Sequence, residues 1–441
     1  MKTKVIQFYL NNIKPYSDKI PYFRRFAQNI WNIVWKSKLK SKSIWLLIDF
    51  EKIYWVNPQK ILYGLEKDDF IVLEFKYKEK KLFELGKLKR YIIKFEDKLV
   101  YRAFYQHFIT GKEWKETELY DKATNRIKKG ILYTWNCSTV RDYDERCKKL
   151  DELYYDIKKN GIKPQKTLSK TSLLKENMIK EITNEMIVYI GSEGELIHRN
   201  GQHRLSIAKL LNLSKVPIQI LHRDKNWLKV RKEILTYIRR EMKGKALRPL
   251  LHPDLRDVPS LWSNERFEMI KKNLTIKEGT LLDIGAHWGY FCHKFEEMGF
   301  QCTAMEDSMR NLIFMKKLKR AERLNFNIIS KSIFDYKDSE DLKDDLNFDV
   351  VLALNLFNQF VDIEEKDLRS KFVEIFGKIK AKEMYFQIPE HEMMQQLRKT
   401  GEYKNKIFSS QELIDFVIKN TYFTHAEKIG EERNHGIYKL H

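Results

Sequence analysis

The chain has 441 residues, more than one ordinary domain needs, so it is expected to form about two or three domains. Its 43% hydrophobic and 13% aromatic residues exclude an intrinsically disordered chain. The net charge of +22 favours an anionic partner such as nucleic acid, a membrane surface, nucleotides or a phosphorylated substrate. Lysine-rich usage diluted by 61 acidic residues also fits a protein that binds no polyanion.

Residues 1–50 form a basic, aromatic segment. Within 14–52, nine Lys or Arg residues against three Asp or Glu are interleaved with eight aromatic residues. This composition is typical of a helix whose aromatic face packs into a domain, and it also fits peripheral contact with an anionic membrane. The apolar run 44–48 is far shorter than the roughly 20 residues of a spanning helix, and no signal-peptide core is seen. We therefore expect a cytoplasmic protein.

The cysteines are scattered and form neither a CxxC pair nor a zinc-binding pattern with histidine. They are Cys137, Cys147, Cys292 and Cys302. This usage predicts free thiols in a reducing compartment and no metal site.

The region 51–243 combines strand-like and helical patterns, which predicts an α+β domain. In chain order, strands are predicted at 52–56, 70–77, 89–95 and 185–190, and helices at 99–109, 116–129, 140–159 and 226–243. Asn160 and Gly161 mark the end of the third of these helices.

A glycine turn within this region, in the stretch HRNGQHRLSIAKLL at 198–211, suggests an anion site. Asn200 and Gly201 favour a tight turn, and an apolar helical pattern follows at once. Arg204 then lies in the first helical turn, where a positive charge opposes the helix dipole. An anion over the helix N-terminus would remove that conflict, so the pattern predicts a phosphate-binding turn. The alternative is a structural turn in which Arg204 pairs with a nearby acid such as Glu193 or Glu195.

This turn resembles the ParB/sulfiredoxin-like fold. The resemblance rests on Gly201-Gln202-His203-Arg204, on the following helix and Val216-Pro217 strand, and on IYWVNPQKI at 53–61. It implies that the residues Asn200, Gly201, Gln202, His203 and Arg204 bind the phosphates of a nucleotide, ATP or CTP with Mg²⁺. An insertion at about 65–180 has no counterpart in the family's common core. No helix-turn-helix follows, since 226–243 is one charged helix, and this departure weighs against DNA partition.

The insertion contains charged and aromatic side chains that have two interpretations. Arg102, His107, Trp114 and Arg126 lie among aromatic residues in the stretch 101–127. They line a substrate groove in one interpretation, and in the other they belong to the core.

A change of pattern at 244–261 predicts a linker. One glycine and three prolines interrupt the helical pattern there. A separate C-terminal domain is therefore expected at 262–441.

That domain begins with a strand and a glycine turn. Leu281, Leu282 and Ile284 form a short apolar run, and the run leads into the DxGxxxG pattern of Asp283, Gly285 and Gly289. Glycines at this position let the backbone approach a ligand, and the following helix offers free amides.

Polar residues follow the next strands. Glu306 ends the second strand, where a carboxylate can accept both hydroxyls of a ribose, and Ser308 can cap the next helix. Ile333, Phe334 and Asp335 follow the third strand and can flank an adenine ring. Further strands are predicted at 348–354 and 383–388, with two more at the end of the chain, which makes a seven-stranded sheet.

DIGAHWG, the Glu306 spacing, SIFD and FDVVLALNLF together resemble the ordered motifs of class I S-adenosylmethionine-dependent methyltransferases, over about 262–441. The resemblance implies a Rossmann-like α/β fold. It also implies the following cofactor-binding residues: Asp283, Gly285, Ala286 and Gly289 at the methionine and ribose, Glu306 at the ribose, and Ile333, Phe334 and Asp335 at the adenine.

Three residues are candidates for the transfer step. The resemblance puts Asn355 near the sulfonium, and His287 and His391 lie on loops at the carboxyl edge of the sheet, where a base would act. A phosphate or carboxylate acceptor needs no base, because in-line placement carries most of the catalysis. The family's Asn-Pro-Pro-Tyr-type signature is absent after strand four, which lowers the expectation of methylation on a base amine.

Three hypotheses for the whole protein remain open. The first is a bifunctional enzyme that binds or transfers a nucleotide phosphate and methylates an anionic substrate, such as a phosphorylated or lipid-linked surface glycan. The second is a nucleic-acid methyltransferase with a ParB-like recognition module. The third is a small-molecule O-methyltransferase whose N-terminal half is a scaffold.

Overall fold

A computed structural model describes residues 52–66, 91–130, 137–164, 185–333, 346–354, 376, 379–389 and 410–441. The chain forms two compact units, Met1–Lys229 and Val230–His441. The division falls inside the long charged helix Lys225–Glu241, whereas the end of the N-terminal domain is predicted at 243. The predicted strand 70–77 and residues 14–51 of the basic segment lie outside the described residues.

A six-stranded mixed sheet forms the centre of the first unit. Its strands are β1 (Tyr54–Val56), β2 (Tyr63–Leu65), β3 (Ile92–Lys94), β4 (Ile187–Ile190), β5 (Leu196–Asn200) and β6 (Val216–Arg223). Their order across the sheet is β1-β6-β4-β5-β2-β3, with parallel pairs β4–β6 and β2–β5 and antiparallel neighbours elsewhere. Strand β2 was not predicted because its three residues, Tyr-Gly-Leu, are too few to show a period.

Helices from the insertion pack on the helix that follows the glycine turn. The described helices of this unit are α1 (Leu99–Phe108), α2 (Glu118–Lys128), α3 (Val140–Asn160) and α4 (Gln202–Leu210), and α5 (Lys225–Glu241) begins in this unit and ends in the second. Helices α1 and α3 both contact α4. Thr139 starts α3 with a reciprocal cap to Asp142, and Gly161 ends it at a φ of 70°. The insertion therefore covers the glycine turn.

The second unit contains the predicted seven-stranded sheet. Its elements are α6 (Glu265–Asn273), β7 (Thr280–Ile284), α7 (Tyr290–Glu296), β8 (Gln301–Met305), α8 (Met309–Ala321), β9 (Asn327–Ile329), β10 (Leu346–Ala353), β11 (Ile379–Pro389), α9 (Ser410–Lys419), β12 (Ala426–Glu432) and β13 (His435–Leu440). The strand order is β12-β13-β11-β10-β7-β8-β9. Strands β7 to β11 are parallel to one another, and β13 is antiparallel to both β11 and β12. After β7, the chain adds β8 and β9 on one side of that strand and then adds β10 and β11 on the other side. The Rossmann-like fold therefore has its switch point between β7 and β10.

Both faces of this sheet are buried, which explains why its strands read as continuous apolar runs. Successive residues of β10 alternate between two cores: Val350 and Leu352 pack on the face that also holds α6 and α7, and Val351 and Ala353 pack on the opposite face. Each fully buried aliphatic side chain of this kind contributes about 1.5–3 kcal/mol to stability.

The segment that was predicted as a linker, 244–261, carries buried side chains within the second unit. Arg248, His252, Asp254 and Leu255 are all at most 6% exposed, and Ala246 forms a β-bridge with Ser260. The prolines interrupt the helical pattern, but the apolar residues between them are buried. No helix in the described part of the chain has the length and apolarity required to cross a membrane.

Candidate functional site

The loop after β7 lies against the end of β8 and brings the predicted cofactor residues together. The backbone N–H groups of Gly285 and Ala286 both donate to the carbonyl of Met305 at 2.9 Å. Gly289 has a φ of 80°, and a Cβ there would lie 2.9 Å from the Phe326 ring. Only glycine fits this position. The two hydrogen bonds to Met305 hold the loop at the carboxyl edge of two neighbouring strands.

The Glu306 carboxylate is clamped at this edge. It accepts the backbone N–H of His287 at 2.7 Å and of Ser308 at 3.0 Å, and the side-chain amide of Asn311 at 3.2 Å. Burial raises the pKa of Glu306, and the hydrogen bonds oppose that rise. Its Oε1 accepts the bonds from Ser308 and Asn311, whereas its Oε2 accepts the His287 N–H and has capacity for a further donor such as a hydroxyl.

Asp283 ends β7 as a buried acceptor that lacks a donor. Its side chain is 3% exposed, and its Oδ2 accepts no hydrogen bond within the described part of the chain. Burial raises the pKa of this carboxyl to about 7, and Arg248 opposes the rise. A buried carboxylate oxygen without a donor is costly, so the site fits a ligand that brings a positive charge.

The ring of His287 is a poor candidate for a general base. It lies parallel to the Trp288 ring, with the centroids 5.0 Å apart. Burial, aided by Arg248, lowers its pKa to about 4, so the imidazole is neutral at pH 7 and weakly basic. The other two candidates for the transfer step, Asn355 and His391, lie outside the described residues.

Only one of the three predicted adenine residues is described. Ile333 is 2% exposed and packs in the core with Ile284 and Met305. Phe334 and Asp335 lie outside the described residues, so their contact with adenine stays a prediction.

Sequence analysis missed a group of buried polar residues that lie close to one another. They are Arg248, Arg266, Gln387 and Glu432. They come from the predicted linker, from α6, from the end of β11 and from the end of β12, so no sequence spacing connects them. The available signal was the arginine inside the apolar stretch ALRPLL, because an isolated charge among apolar residues is typical of a buried polar site.

The predicted phosphate turn of the first unit adopts the expected backbone but is more buried than expected. Gly201 precedes α4 at a φ of 84°. The ring of His203 stacks on Phe104 at 5.7 Å, and burial lowers the pKa of this histidine to about 3. Arg204 is largely buried and lies 4.0 Å from Glu185, at its Nη1 atom. Nη1 makes no hydrogen bond within the described residues.

The acids named in the structural alternative for this turn do not pair with Arg204 in the described ion pairs. Glu195 accepts the backbone N–H of Glu193 at 2.9 Å, within the turn between β4 and β5. The acid nearest to Arg204 is Glu185, two residues before β4. Sequence analysis could not select Glu185, since it stands 19 positions before the arginine and only the sheet brings the two together.

The charged and aromatic residues of the insertion pack with one another. Asp151 accepts from the Trp114 indole at 2.8 Å and lies 3.0 Å from His107, whose ring stacks on Trp114. Arg102 pairs with Glu118 at 2.8 Å. The contacts of His107 and Trp114 favour the core interpretation for these two residues, whereas Arg102 and Arg126 are exposed.

All four cysteines are buried and free. Within the described ranges, no group of three or more His, Cys, Asp and Glu side chains is arranged to hold a metal ion.

No protein-family model and no curated protein matches this chain. Among solved structures it is similar to the PH0226 protein from Pyrococcus horikoshii OT3, with 17% identity, a TM-score of 0.32, and coverage of 46% of this chain and 97% of that one. It is similar to the bifunctional kinase-methyltransferase WbdD, with 13% identity, a TM-score of 0.37, and coverage of 47% and 45%. It is also similar to the N-methyltransferase NodS from Bradyrhizobium japonicum WM9, with 12% identity, a TM-score of 0.31, and coverage of 40% and 93%. The matched region thus spans under half of this chain and under half of WbdD.

Proposed function

We propose that the second unit is an S-adenosylmethionine-dependent methyltransferase. The observation that carries the proposal is a pair of buried carboxylates at the switch point of the Rossmann-like sheet. Glu306 is fixed by three donors, and Asp283 has an oxygen without one. Ligands of open α/β sheets bind at this edge, beside the switch point.

The residues present fit the parts of this cofactor. Glu306 is positioned to accept a ribose hydroxyl, and Asp283 to accept from the amino group of the methionyl part. Gly285 and Gly289 carry no side chain, so that the backbone can approach the ligand at these two points of the loop. When bound, the cofactor supplies an electrophilic methyl group on a sulfonium.

The low basicity of His287 supports an acceptor that needs no base. A carboxylate or phosphate oxygen is already a nucleophile, and for such an acceptor the protein contributes placement. We therefore propose an anionic acceptor, which also agrees with the net charge of +22. Asn355 and His391 remain proposed as residues near the transferred methyl group.

Calorimetric titration of the full chain with S-adenosylhomocysteine tests this proposal. Replacing Glu306 with Ala is expected to weaken binding by more than about 100-fold, because a charge-assisted contact and its clamped loop are lost together. Asp307→Asn is the matched control, since it removes the neighbouring carboxylate, which is exposed. A folded protein that does not bind S-adenosylhomocysteine would contradict the proposal.

As a second candidate function, we propose that the first unit binds the phosphates of ATP or CTP with Mg²⁺ at residues 200–204. The observation that favours it is the Arg204 Nη1 atom, which is buried, makes no hydrogen bond within the described residues and has Glu185 only at 4.0 Å. A buried guanidinium with spare donor capacity fits a phosphate oxygen.

Titration of the full chain with each nucleotide, with and without Mg²⁺, tests this site. Arg204→Ala is expected to abolish binding, and Arg126→Ala, at an exposed arginine of α2, is expected to leave it unchanged. Unaltered binding in Arg204→Ala would exclude the turn as the phosphate site.

If both sites operate, the first hypothesis for the whole protein is favoured: a bifunctional enzyme that modifies a phosphorylated or lipid-linked glycan. The charge of +22 and the ParB-like turn support the alternative of a nucleic-acid methyltransferase, whose binding would weaken steeply with salt. A small-molecule O-methyltransferase with a scaffold as first unit is the outcome if no nucleotide binds. A cytoplasmic protein with peripheral membrane contact through 14–52 stays a proposal.

A further inference from the structure

Three arginines of the second unit surround the indole ring of Trp262. The guanidinium carbons of Arg266, Arg433 and Arg248 lie 4.2, 5.3 and 5.5 Å from the ring centroid. Within the described residues, Glu432 is the only acid that forms an ion pair with any of them. Three arginines and one glutamate therefore leave this group, the arginine cluster, with a net charge of +2.

Two members of the arginine cluster are buried and have open donors. Arg248 is 6% exposed and Arg266 is fully buried. Arg266 Nε donates to Glu432 at 3.0 Å, whereas Arg248 Nη1 is 3.9 Å from the same oxygen, beyond hydrogen-bond distance. Both terminal nitrogens of Arg248 and the Nη2 atom of Arg266 make no hydrogen bond within the described part of the chain. An anion that accepts from these nitrogens would offset the cost of burying them.

The electrostatic cost is visible in the pKa of Arg266. Burial, and after it the positive charge of Arg248, lower this pKa to about 9. Glu432 opposes the shift but does not cancel it. The buried pair of arginines therefore carries more positive charge than its surroundings balance.

The third arginine is presented by a strained turn. Arg433 and Asn434 are the two residues of the hairpin loop between β12 and β13, and their φ values are 54° and 61°. Such turns favour asparagine, aspartate or glycine, and a left-handed backbone is costly for arginine. Arg433 is nevertheless found there, exposed and beside Trp262. Strained residues that are held by the surrounding structure are frequent at ligand sites.

The arginine cluster lies at the same edge of the sheet as the proposed cofactor site. Strands β7, β10 and β11 are parallel, so their carboxyl ends share one edge. His435 pairs with Pro389 at the end of β11, which puts the tip of the β12–β13 hairpin at that edge. Arg248 borders a cleft together with Ala286 and His287 of the glycine loop. The cluster therefore adjoins the loop that is proposed to hold the cofactor.

We propose that the arginine cluster binds a phosphate group carried by the methyl acceptor. The inference rests on the proposed methyltransferase function, and it names the chemical class of the anionic acceptor and the residues that recognise it. A phosphate monoester carries about −1.5 to −2 charges at pH 7, which matches the net charge of the cluster, whereas a carboxylate carries a single charge. Its oxygens accept from the open donors of Arg248 and Arg266, and Arg433 is accessible to a ligand from solution.

Chemical modification of arginine tests the inference on the unsubstituted protein. Phenylglyoxal reacts with exposed arginines, and mass spectrometry of peptides follows Arg433 and Arg323 separately. Arg323 is the matched control within the chain, because it is also exposed and has a φ of 56°. Inorganic phosphate at about ten times its dissociation constant is expected to slow the modification of Arg433 roughly tenfold and to leave that of Arg323 unchanged. An unchanged rate at Arg433 would overturn the inference.

Two further ligands separate the inference from its alternatives. Acetate at the same ionic strength is expected to slow the modification of Arg433 by less than about twofold, and protection equal to that of phosphate would indicate a carboxylate site and overturn the inference. Saturating S-adenosylhomocysteine is expected to leave the protection by phosphate unchanged. Competition between the two would mean that the arginines hold the cofactor, and the inference would be wrong. If phosphate protects Arg433 but S-adenosylhomocysteine does not bind, the proposed methyltransferase fails, and the acceptor role of the cluster fails with it.

Substitution then assigns the affinity for phosphate to Arg433. Arg433→Asn removes the charge and introduces a residue that the turn favours, so the fold is expected to be kept. Calorimetry uses the full chain with Arg204→Ala in addition, which removes the other proposed phosphate contact. Phosphate is expected to bind about tenfold more weakly to Arg433→Asn and within about twofold to the matched variant Arg323→Asn. Equal affinities of these two variants for phosphate would overturn the inference.

Discussion

The two glycine turns of this protein have nearly the same backbone. Gly201 precedes α4 with φ 84° and ψ 30°, and Gly289 precedes α7 with φ 80° and ψ 26°. Each follows a strand of a central sheet and opens a helix. The local sequence signal, a glycine between a strand and a helix, is therefore the same in both units and does not distinguish their chemistry.

The side chains that surround the turns differ in charge. Beside Gly201 stand Arg204 and His203, facing the acid Glu185, whereas the loop that ends at Gly289 is flanked by Asp283 and Glu306. These charges support the proposals of an anionic ligand at the first turn and of a ligand with amino and hydroxyl donors at the second. Two turns with the same backbone are therefore proposed to differ in ligand because the charges around them differ.

The largest expected effect is a loss of stability on substitution of Gly201. Comparison with a second glycine separates the part due to backbone strain from the part due to steric conflict. Gly201→Ala is expected to lower the free energy of unfolding by about 3 kcal/mol, because φ is positive and the new Cβ meets Met186 Cγ at 2.7 Å and its backbone Cα at 3.0 Å. Gly130→Ala has a φ of 67° in open space, so about 1 kcal/mol is expected from strain alone. Chemical denaturation measures both losses of stability. Equal losses would show that Met186 moves to make room for the new Cβ.

Lowering the pH should reduce the stability of the protein, because His203 of the first turn is buried in its neutral form. The folded pKa of His203 is about 3 against an ordinary value near 6.5, so between these values the unfolded chain binds the proton and the folded chain does not. The stability that neutral His203 provides above pH 6.5 is consequently lost as pH falls. Between pH 7 and pH 4, His203→Phe is expected to lose roughly 2–3 kcal/mol less than the unsubstituted protein. Denaturant midpoints at the two pH values give the comparison, and parallel losses would mean that His203 is solvated.

In the second unit, Asp283 should make stability depend on pH in the opposite direction to His203. Its pKa of about 7 is raised, so the folded protein binds the proton more readily than the unfolded chain, and its contribution to stability falls as pH rises from 4 to 7. A cationic amino group requires the ionised carboxylate. Affinity for S-adenosylhomocysteine is therefore expected to rise about tenfold from pH 6 to pH 8. Titration calorimetry at both pH values measures the change, and Asp283→Asn should remove it. A rise that persists in Asp283→Asn belongs to another group.

The smallest expected effect concerns a buried hydroxyl in the helix that follows the first turn. Ser206, in α4, is fully buried, and its hydroxyl has no hydrogen bond within the described residues. Ser206→Ala removes a buried polar group without a partner, so the free protein is expected to gain up to about 1 kcal/mol of stability. Thermal unfolding measures the gain. A loss of similar size would show that water or the chain already satisfies the hydroxyl.

Much of the fold was predictable because it depends on local periods. The helices 99–109 and 140–159 and the strands 216–221 and 281–284 were each predicted within a few residues of their observed bounds. The seven-stranded sheet was confirmed, since buried parallel strands read as short apolar runs. Strand β2 escaped because it has three residues and pairs with a strand more than 130 positions away.

The candidate sites were predictable only in part. The Asp283 and Glu306 pair followed from spacing along two adjacent strands, and the structure brings both to one edge. Arg248 was not found, because it lies in a stretch whose prolines indicated a linker, and its relation to Asp283 exists only after the segment packs on the sheet. The acid nearest to Arg204 could not be named from the sequence for the same reason: Glu185 becomes its neighbour only once the chain on either side of β4 and β5 has folded.

The sequence by itself determined the strand and helix positions, the two glycine turns and the acidic residue at the end of β8, because each depends on neighbours within a few residues. Only the tertiary structure decided which side chains lost their solvent and which found a partner. Burial raises the pKa of Asp283 and lowers that of His203, and within the described residues it leaves Arg204 Nη1 and both terminal nitrogens of Arg248 without a hydrogen bond. Desolvation depends on everything that packs around a group, and that set is drawn from the whole chain.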